Sequence, residues 1–155
     1  MEQEQYEQQT EAPKKKKSAV RGIVGWIVYL VILGGLIFGT PYALSYTLKS
    51  EHPMAAITSG SMWPQLKKGD LVFIQGIEST DEIEIGDIVV YQIQQGFTIH
   101  RVVEFRNGRV ITKGDANNTE DSPVQYSDII GETVEWREKP LKIPKLGYVS
   151  ILLNQ

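Results

Sequence analysis

The sequence predicts a mainly β domain preceded by a single N-terminal transmembrane helix. Three features carry that expectation. No charged residue occurs from Gly22 to Leu48. That run follows directly on Lys14, Lys15, Lys16, Lys17 and Arg21. Downstream of it, short stretches rich in Val, Ile, Tyr and Phe alternate with Gly, Asp and Asn, the pattern of strands and turns rather than of surface helices.

In chain order, Met1 to Pro13 is mostly Glu and Gln with Tyr6 as its one aromatic. Such a segment buries too little apolar surface to offset the entropy of ordering it, so residues 1–18 are expected to form a disordered cytoplasmic tail. Counting only Gly22 to Thr40, before Pro41, leaves 19 residues, or about 28 Å of helix against a hydrocarbon thickness of about 30 Å. The anchor is placed at 19–48. Its five basic neighbours put the N-terminus in the cytoplasm, which leaves 49–155 extracytoplasmic on a single-pass protein of the cell membrane. Trp26, Tyr29, Tyr42 and Tyr46 sit toward the ends of the run, as interfacial aromatics do. Ala43-Leu44-Ser45 offers the small residues of a processing site, but the apolar run exceeds the 7 to 15 residues of a cleavable signal, so an uncleaved anchor is expected.

Beyond the anchor, strands are predicted at Leu71–Gln75, Ile88–Ile93, Phe97–Phe105, Val110–Lys113 and Ile129–Trp136. Gly69-Asp70, Gly86-Asp87 and Gly114-Asp115 mark turns between them, and Asn107-Gly108 reads as a type I′ hairpin turn. No amphipathic helix is expected after the anchor. The apolar end, Lys142–Gln155, is too short to span a bilayer and is expected to pack on the domain or touch the membrane surface.

Composition narrows the function. At 155 residues, with 41% hydrophobic and 23% charged residues, the chain has the size of one folded domain. A net charge of −3, and 11 basic against 15 acidic residues from Lys49 onward, give no reason to expect nucleic acid. The absence of cysteine excludes a disulfide framework, a thiol nucleophile and a cysteine-ligated metal. The loop Lys113–Asp121 is dense in Asp and Asn but lacks the alternation and terminal Glu of an EF-hand, so no metal is expected there.

What remains is hydroxyl chemistry. In Thr58-Ser-Gly-Ser-Met-Trp-Pro64, Gly60 and the turn after Ser61 would hold that hydroxyl at one place on the surface. His100 lies on a predicted strand whose alternation groups it with Thr98 and Val102, away from Ile99, Arg101 and Val103. Asp115 and Asp121 lie in the polar loop that follows. A serine, a histidine and one or two aspartates make the components of a Ser-His-Asp set. Taken singly, each has an ordinary reading as a turn or a hydrogen-bonded strand residue.

Their order is more specific. Ser59 to Pro64, the Gly-Asp-Leu-Val and Gly-Asp-Ile-Val boxes at Gly69 and Gly86, His100 to Val103, and Lys113 to Asn118 resemble in sequence the boxes of the type I signal peptidases. The resemblance covers the anchor and nearly all of the outer part. It implies a mainly β catalytic domain of signal-peptidase type, acting as a membrane-bound serine endopeptidase that removes N-terminal signal peptides from secreted preproteins during or after translocation. Histidine in place of the usual lysine resembles the subgroup shared by the endoplasmic-reticulum complex, archaea and the SipW-like enzymes.

By that resemblance Ser61 is the nucleophile, His100 the general base and Asp121 the orienting carboxylate, with Asp115 supporting the site. Ser59 and the Ser61 amide are implied as oxyanion donors. Ala55, Ala56, Ile57, Thr58, Gly60 and Met62 are implied as substrate-binding, with Ala55 to Ser59 running extended beside the peptide. No cofactor is implied. The partners are preprotein signal peptides and membrane lipid, with a secretion translocon or accessory subunit beyond them. The chain departs from the family boxes at Trp63 and Ala116.

A histidine starts near a pKa of about 6.5, whereas a lysine at about 10.4 must be brought down by burial before it can act as a base near neutrality. His52, beside Pro53, reads as a linker residue. Lys67 and Lys68 read as a solvated turn, and Lys113 as an ion-pair partner for the loop it opens. The competing class is a catalytically silent, membrane-tethered β module that binds exported proteins or a secretion complex. A self-cleaving protease of the repressor type is a second competitor, set aside because that group is soluble and uses lysine.

Overall fold

The computed structural model describes residues 16–94 and 96–153. A long helix, α1 (Lys16–Thr47), is followed by strands β1 (Met54–Ala56), β2 (Leu71–Gln75), β3 (Ile88–Ile93), β4 (Gly96–Arg106), β5 (Arg109–Lys113), β6 (Ile129–Thr133) and β7 (Lys142–Ile143), and by a closing helix α2 (Gly147–Leu153). The chain divides between Thr40 and Pro41 into two units. The expected tail lies outside the described residues up to position 15, and its last three residues, Lys16 to Ser18, are helical instead.

Val20–Thr47 has a mean hydropathy of 2.3, none of its most apolar window is buried, and it is long and apolar enough to cross a membrane. Pro41 lies inside the helix and does not end it, in keeping with an anchor placed at 19–48. Proline removes one backbone donor, whereas leaving the helix within an apolar phase would unpair several groups at once. Ala43 to Ser45 is therefore helical.

The β domain is one seven-stranded sheet in the order β1-β2-β6-β3-β4-β5, with β7 pairing β2 off that path, and every pairing is antiparallel. β2 and β3 have the predicted bounds: each β-branched run follows a Gly-Asp turn, at Gly69 and Gly86, and β2 stops at Gly76. The β4–β5 turn has Asn107 at φ 53° and Gly108 at φ 72°, as a type I′ turn requires. β6 is shorter than predicted. Past Val134 the chain folds back through Arg137 and Glu138, both at positive φ, and returns at Leu141, leaving Trp136 67% exposed at the tip. The apolar C-terminal run packs on the domain through β7 and the short helix α2, an element that the expectation of strands alone did not include.

Two buried clusters flank the future site. Ile57, Met62, Leu66, Val72 and Ile88 form one, with Ile99 packed against it; Ile83, Val89, Tyr91, Val102, Val110 and Val124 form the other. The faces of β4 divide between them, with Ile99 toward the first and Val102 in the second.

Glu132, half-buried on β6 between Gln75 and Val89, has its carboxyl pushed up from 4.5 to about 7 by burial and by the charges of Asp87, Glu135, Glu82 and Glu84. Between those pH values the folded chain holds a proton that the unfolded chain has released. Its contribution to stability therefore declines as pH rises through that window, and the full cost is present above it. After allowance for solvent screening that cost is about 1 kcal/mol. Glu132→Gln is expected to raise the unfolding midpoint at pH 8 by about 4–8 °C and to leave it unchanged at pH 4.5. Thermal melts at the two pH values check this, and equal shifts at both would refute an ionisation effect.

Candidate active site

Ser61 lies on a loop closed at its base by backbone pairs from Ile57 to Asp70 and from Gly69 to Ile57, each 2.8 Å. Met62, 1% exposed, and Leu66, fully buried, pin the loop into the first core cluster, and the Leu66 amide donates to the Met62 carbonyl at 2.8 Å. Burial of these two side chains fixes the residue before them. The Trp63–Pro64 peptide is cis, and Trp63 points into solvent, 58% exposed. Gly69 (φ +88°) closes the loop where a Cβ would meet the ring of Tyr148 at 2.1 Å, so a side chain is excluded by both conformation and space.

The loop is tied to the C-terminal segment by an ion pair. Lys142 donates to Asp70 Oδ2 at 2.8 Å and to the Gln65 carbonyl at 2.7 Å, and the Lys67 amide donates to the same Asp70 oxygen at 3.1 Å. Burial alone would raise the Asp70 carboxyl, but these donors outweigh it and hold it below its ordinary value. Lys67 and Lys68 are exposed, as a solvated turn requires.

His100 is 8% exposed on β4, opposite Val89 on β3. Its Nδ1 lies 2.6 Å from Asp121 Oδ2, which leaves Nε2 as the ring nitrogen free to take a proton. The same Asp121 oxygen accepts from the Thr112 hydroxyl at 2.7 Å and the Tyr91 hydroxyl at 3.1 Å. Burial first, and the neighbouring Asp121 charge with it, push the Tyr91 phenol up to about 12, so it stays a proton donor.

Asp115 is elsewhere. Arg101 Nε and Nη2 grip its two oxygens at 2.8 Å each, while Nη1 donates to the Gly86 carbonyl at 2.6 Å. The ion-pair partner is thus Arg101 rather than Lys113. This fork anchors the loop beside Ala116, whose amide donates to the Ser61 carbonyl at 2.7 Å. The contact is made by backbone, so alanine serves there. Gly114 has no room for a side chain: a Cβ would stand 2.8 Å from the Ser61 carbonyl oxygen.

Ser61 and His100 line one cleft of about 360 Å³, with Ser59, Ala56, Thr58 and Asn117 on its walls. Ile57 and Met62 also reach this cleft, whereas Ala55 lines an adjoining apolar pocket of about 500 Å³ and Gly60 serves the turn by accepting from the Trp63 amide. His52 is more than a linker, since it lines that apolar pocket and its ring lies 5.1 Å from that of Phe97. Ser59 Oγ is 3.1 Å from Ser61 Oγ and accepts from the Ser61 amide at 3.5 Å, which puts a second hydroxyl beside the candidate nucleophile. Among the described residues β1 ends the sheet and β4 pairs β5 only from Arg101 onward, so strand edges without a ladder partner among them border the cleft at Ala56 and at Thr98.

Sequence reasoning missed Arg101, Tyr91 and Thr112. The signals were thin: a phenol and a hydroxyl inside otherwise apolar strand runs, at positions that only the strand register brings around Asp121.

Ser61 and His100 border one cleft, with Asp121 behind the imidazole; the class is that of the peptidases, since a family model described as peptidase S24-like matches residues 39–134. That span includes Ser61, His100, Asp115 and Asp121. Curated relatives include the signal peptidase complex catalytic subunits of Fusarium vanettenii, 35% identical over 126 residues (72% of this chain, 70% of the relative), and of Verticillium alfalfae, 33% identical over 139 residues (78% and 77%). That of Colletotrichum graminicola is 36% identical over 126 residues (72% and 70%). The chain belongs to the signal peptidase family.

Proposed function

We propose that this protein is a membrane-anchored serine endopeptidase that removes signal peptides from secreted preproteins, of the Ser-His-Asp subgroup with the SipW-like and endoplasmic-reticulum enzymes. The observation that carries the reading is the 2.6 Å contact between His100 Nδ1 and Asp121, with His100 lining the same cleft as Ser61. In this reading α1 anchors the chain with its basic end cytoplasmic, and residues 49–155 act on the outer face. The relatives are named as subunits of a complex, which supports an accessory subunit as a partner of this chain.

The chemistry of this reading is acyl transfer through a serine ester. Ser61 Oγ attacks the scissile carbonyl as its proton passes to His100 Nε2. The oxyanion that forms takes the Ser61 amide and the Ser59 hydroxyl. The imidazolium, held by ionised Asp121, gives its proton to the leaving amine, and water then opens the acyl-enzyme by the same route. An extended substrate adds backbone pairs along Ala55 to Ser59.

The experiment is cleavage of a model preprotein by the detergent-solubilised full chain from pH 5 to 9, with the new N-terminus of the product sequenced. A cut after a small residue is expected, with kcat/KM falling about tenfold per pH unit on the acid side as the imidazolium forms and can no longer accept the serine proton. A flat acid limb would overturn histidine as the base. No cleavage in detergent or in membranes would turn the reading toward a silent binding module.

A further inference from the structure

We infer that Tyr91 and Thr112 are positioning residues of this site, two hydroxyls that aim the Asp121 carboxylate at His100. The inference rests on the reading above and adds to it a pair of residues outside every box of the sequence.

Asp121 has no regular secondary structure to hold it. It stands in the loop between β5 and the Val110–Val124 bridge, and its side chain is 23% exposed. A carboxylate on such a loop turns freely unless its oxygens are occupied. Here a single oxygen, Oδ2, is met by His100 Nδ1, Thr112 Oγ1 and Tyr91 OH. Thr112 holds the residue twice, because its carbonyl also accepts the Asp121 amide at 2.8 Å. Thr112 is fully buried and Tyr91 is 5% exposed, so both donors are fixed by the core rather than by the loop. Thr112 Oγ1 and Tyr91 OH lie 3.2 Å apart. Thr112 has one hydroxyl proton and Tyr91 one, so the phenol supplies Asp121 whenever Thr112 turns to the phenol.

Holding and charge act together. With two neutral donors on the oxygen, negative charge is shared among three contacts. Without them it faces the imidazole alone and favours the imidazolium, which cannot act as base. The titratable groups around the cluster are Arg101 on β4, already forked to Asp115; Lys113 on β5; Glu120 on the loop; and Asp128, which lines the cavity behind His100 with Asp121. None of them is altered by the substitutions below.

The test compares full-length wild type with Tyr91→Phe, Thr112→Val and Thr112→Ser in the preprotein assay, with Ser61→Ala as the reference for the site. Each of the first two keeps the shape and removes one donor to a charged group, and is expected to lower kcat about tenfold with KM unchanged, and to move the acid limb of kcat/KM to higher pH. Thr112→Ser restores the hydroxyl and is expected to recover most of the rate and the wild-type limb. Wild-type kcat and pH profile in Tyr91→Phe and Thr112→Val, with Ser61→Ala inactive, would overturn the positioning role while leaving the site intact. Equal losses in Thr112→Val and Thr112→Ser would assign the effect to packing and overturn it as well. Undiminished cleavage by Ser61→Ala would overturn the reading of the site, and the positioning role with it.

Discussion

Ser61→Ala and His100→Ala are each expected to lower kcat for preprotein cleavage by about 10⁴-fold or more, and Asp121→Asn by about the same order, with KM nearly unchanged. In the proposed mechanism the serine supplies the bond-forming oxygen and the histidine its base, so removal of either leaves only the oxyanion donors and substrate binding. Asp121→Asn keeps the volume but presents an amide to Nδ1, which favours the wrong tautomer and withdraws the charge that supports the imidazolium. Asp115→Asn is expected to cost much less, because Asp115 meets Arg101 and not the imidazole. His100→Lys is not expected to rescue activity near neutrality: the Asp121 carboxylate, placed to stabilise a cation, would keep the new ammonium protonated. Single-turnover rates on a model preprotein check the order, and an Asp115 effect equal to that of Asp121 would refute the assignment of the two carboxylates.

Lys142→Met is expected to destabilise the β domain by about 3–5 kcal/mol at neutral pH, the usual cost of leaving a buried carboxylate without its cation. The lysine reaches from β7 to Asp70, which is 4% exposed, and to the Gln65 carbonyl inside the nucleophile loop. Its effect on Asp70 sets the sign of the pH dependence. With the native pair the Asp70 pKa is depressed, so the stability is present above the unfolded value near 3.8 and is lost as pH falls through the lower folded value. In the Lys142→Met variant the lysine's share of that depression is gone, and the destabilisation shrinks as acid neutralises the carboxyl. Denaturant unfolding at pH 7 and pH 4 checks this. A loss of less than about 1 kcal/mol at pH 7 would show that the pair behaves as an ordinary surface bridge.

The elements that could be read beforehand were those whose local chemistry agreed with their surroundings. Leu71–Gln75 and Ile88–Ile93 are β-branched runs bounded by glycine, and Asn107-Gly108 tolerates the left-handed turn it adopts. Met54–Ala56 carried no such signal, since Met-Ala-Ala has little β preference and becomes a strand only by pairing with Leu71–Phe73. Gly147–Leu153 is too short for a helical period to show; it is held where Gly147 passes within 2.9 Å of the Gly69 carbonyl. At the candidate site, Ser61, His100 and Asp115 stand in ordered boxes and Asp121 three residues past the last of them, while Arg101, Tyr91 and Thr112 make their contacts across strands and so depend on register, which no local pattern states.

The segment from Gly114 to Val124 touches both halves of the candidate site, through the Ala116 amide on the Ser61 carbonyl at one end and Asp121 on His100 at the other. Between those two pins the chain acts as a ruler. Asn118, Thr119 and Glu120 are exposed, so the side chains at these positions are free to vary. One residue more or fewer would change the span by as much as about 3.4 Å, more than the length of the His100–Asp121 contact. What is constrained here is the number of residues rather than their kind.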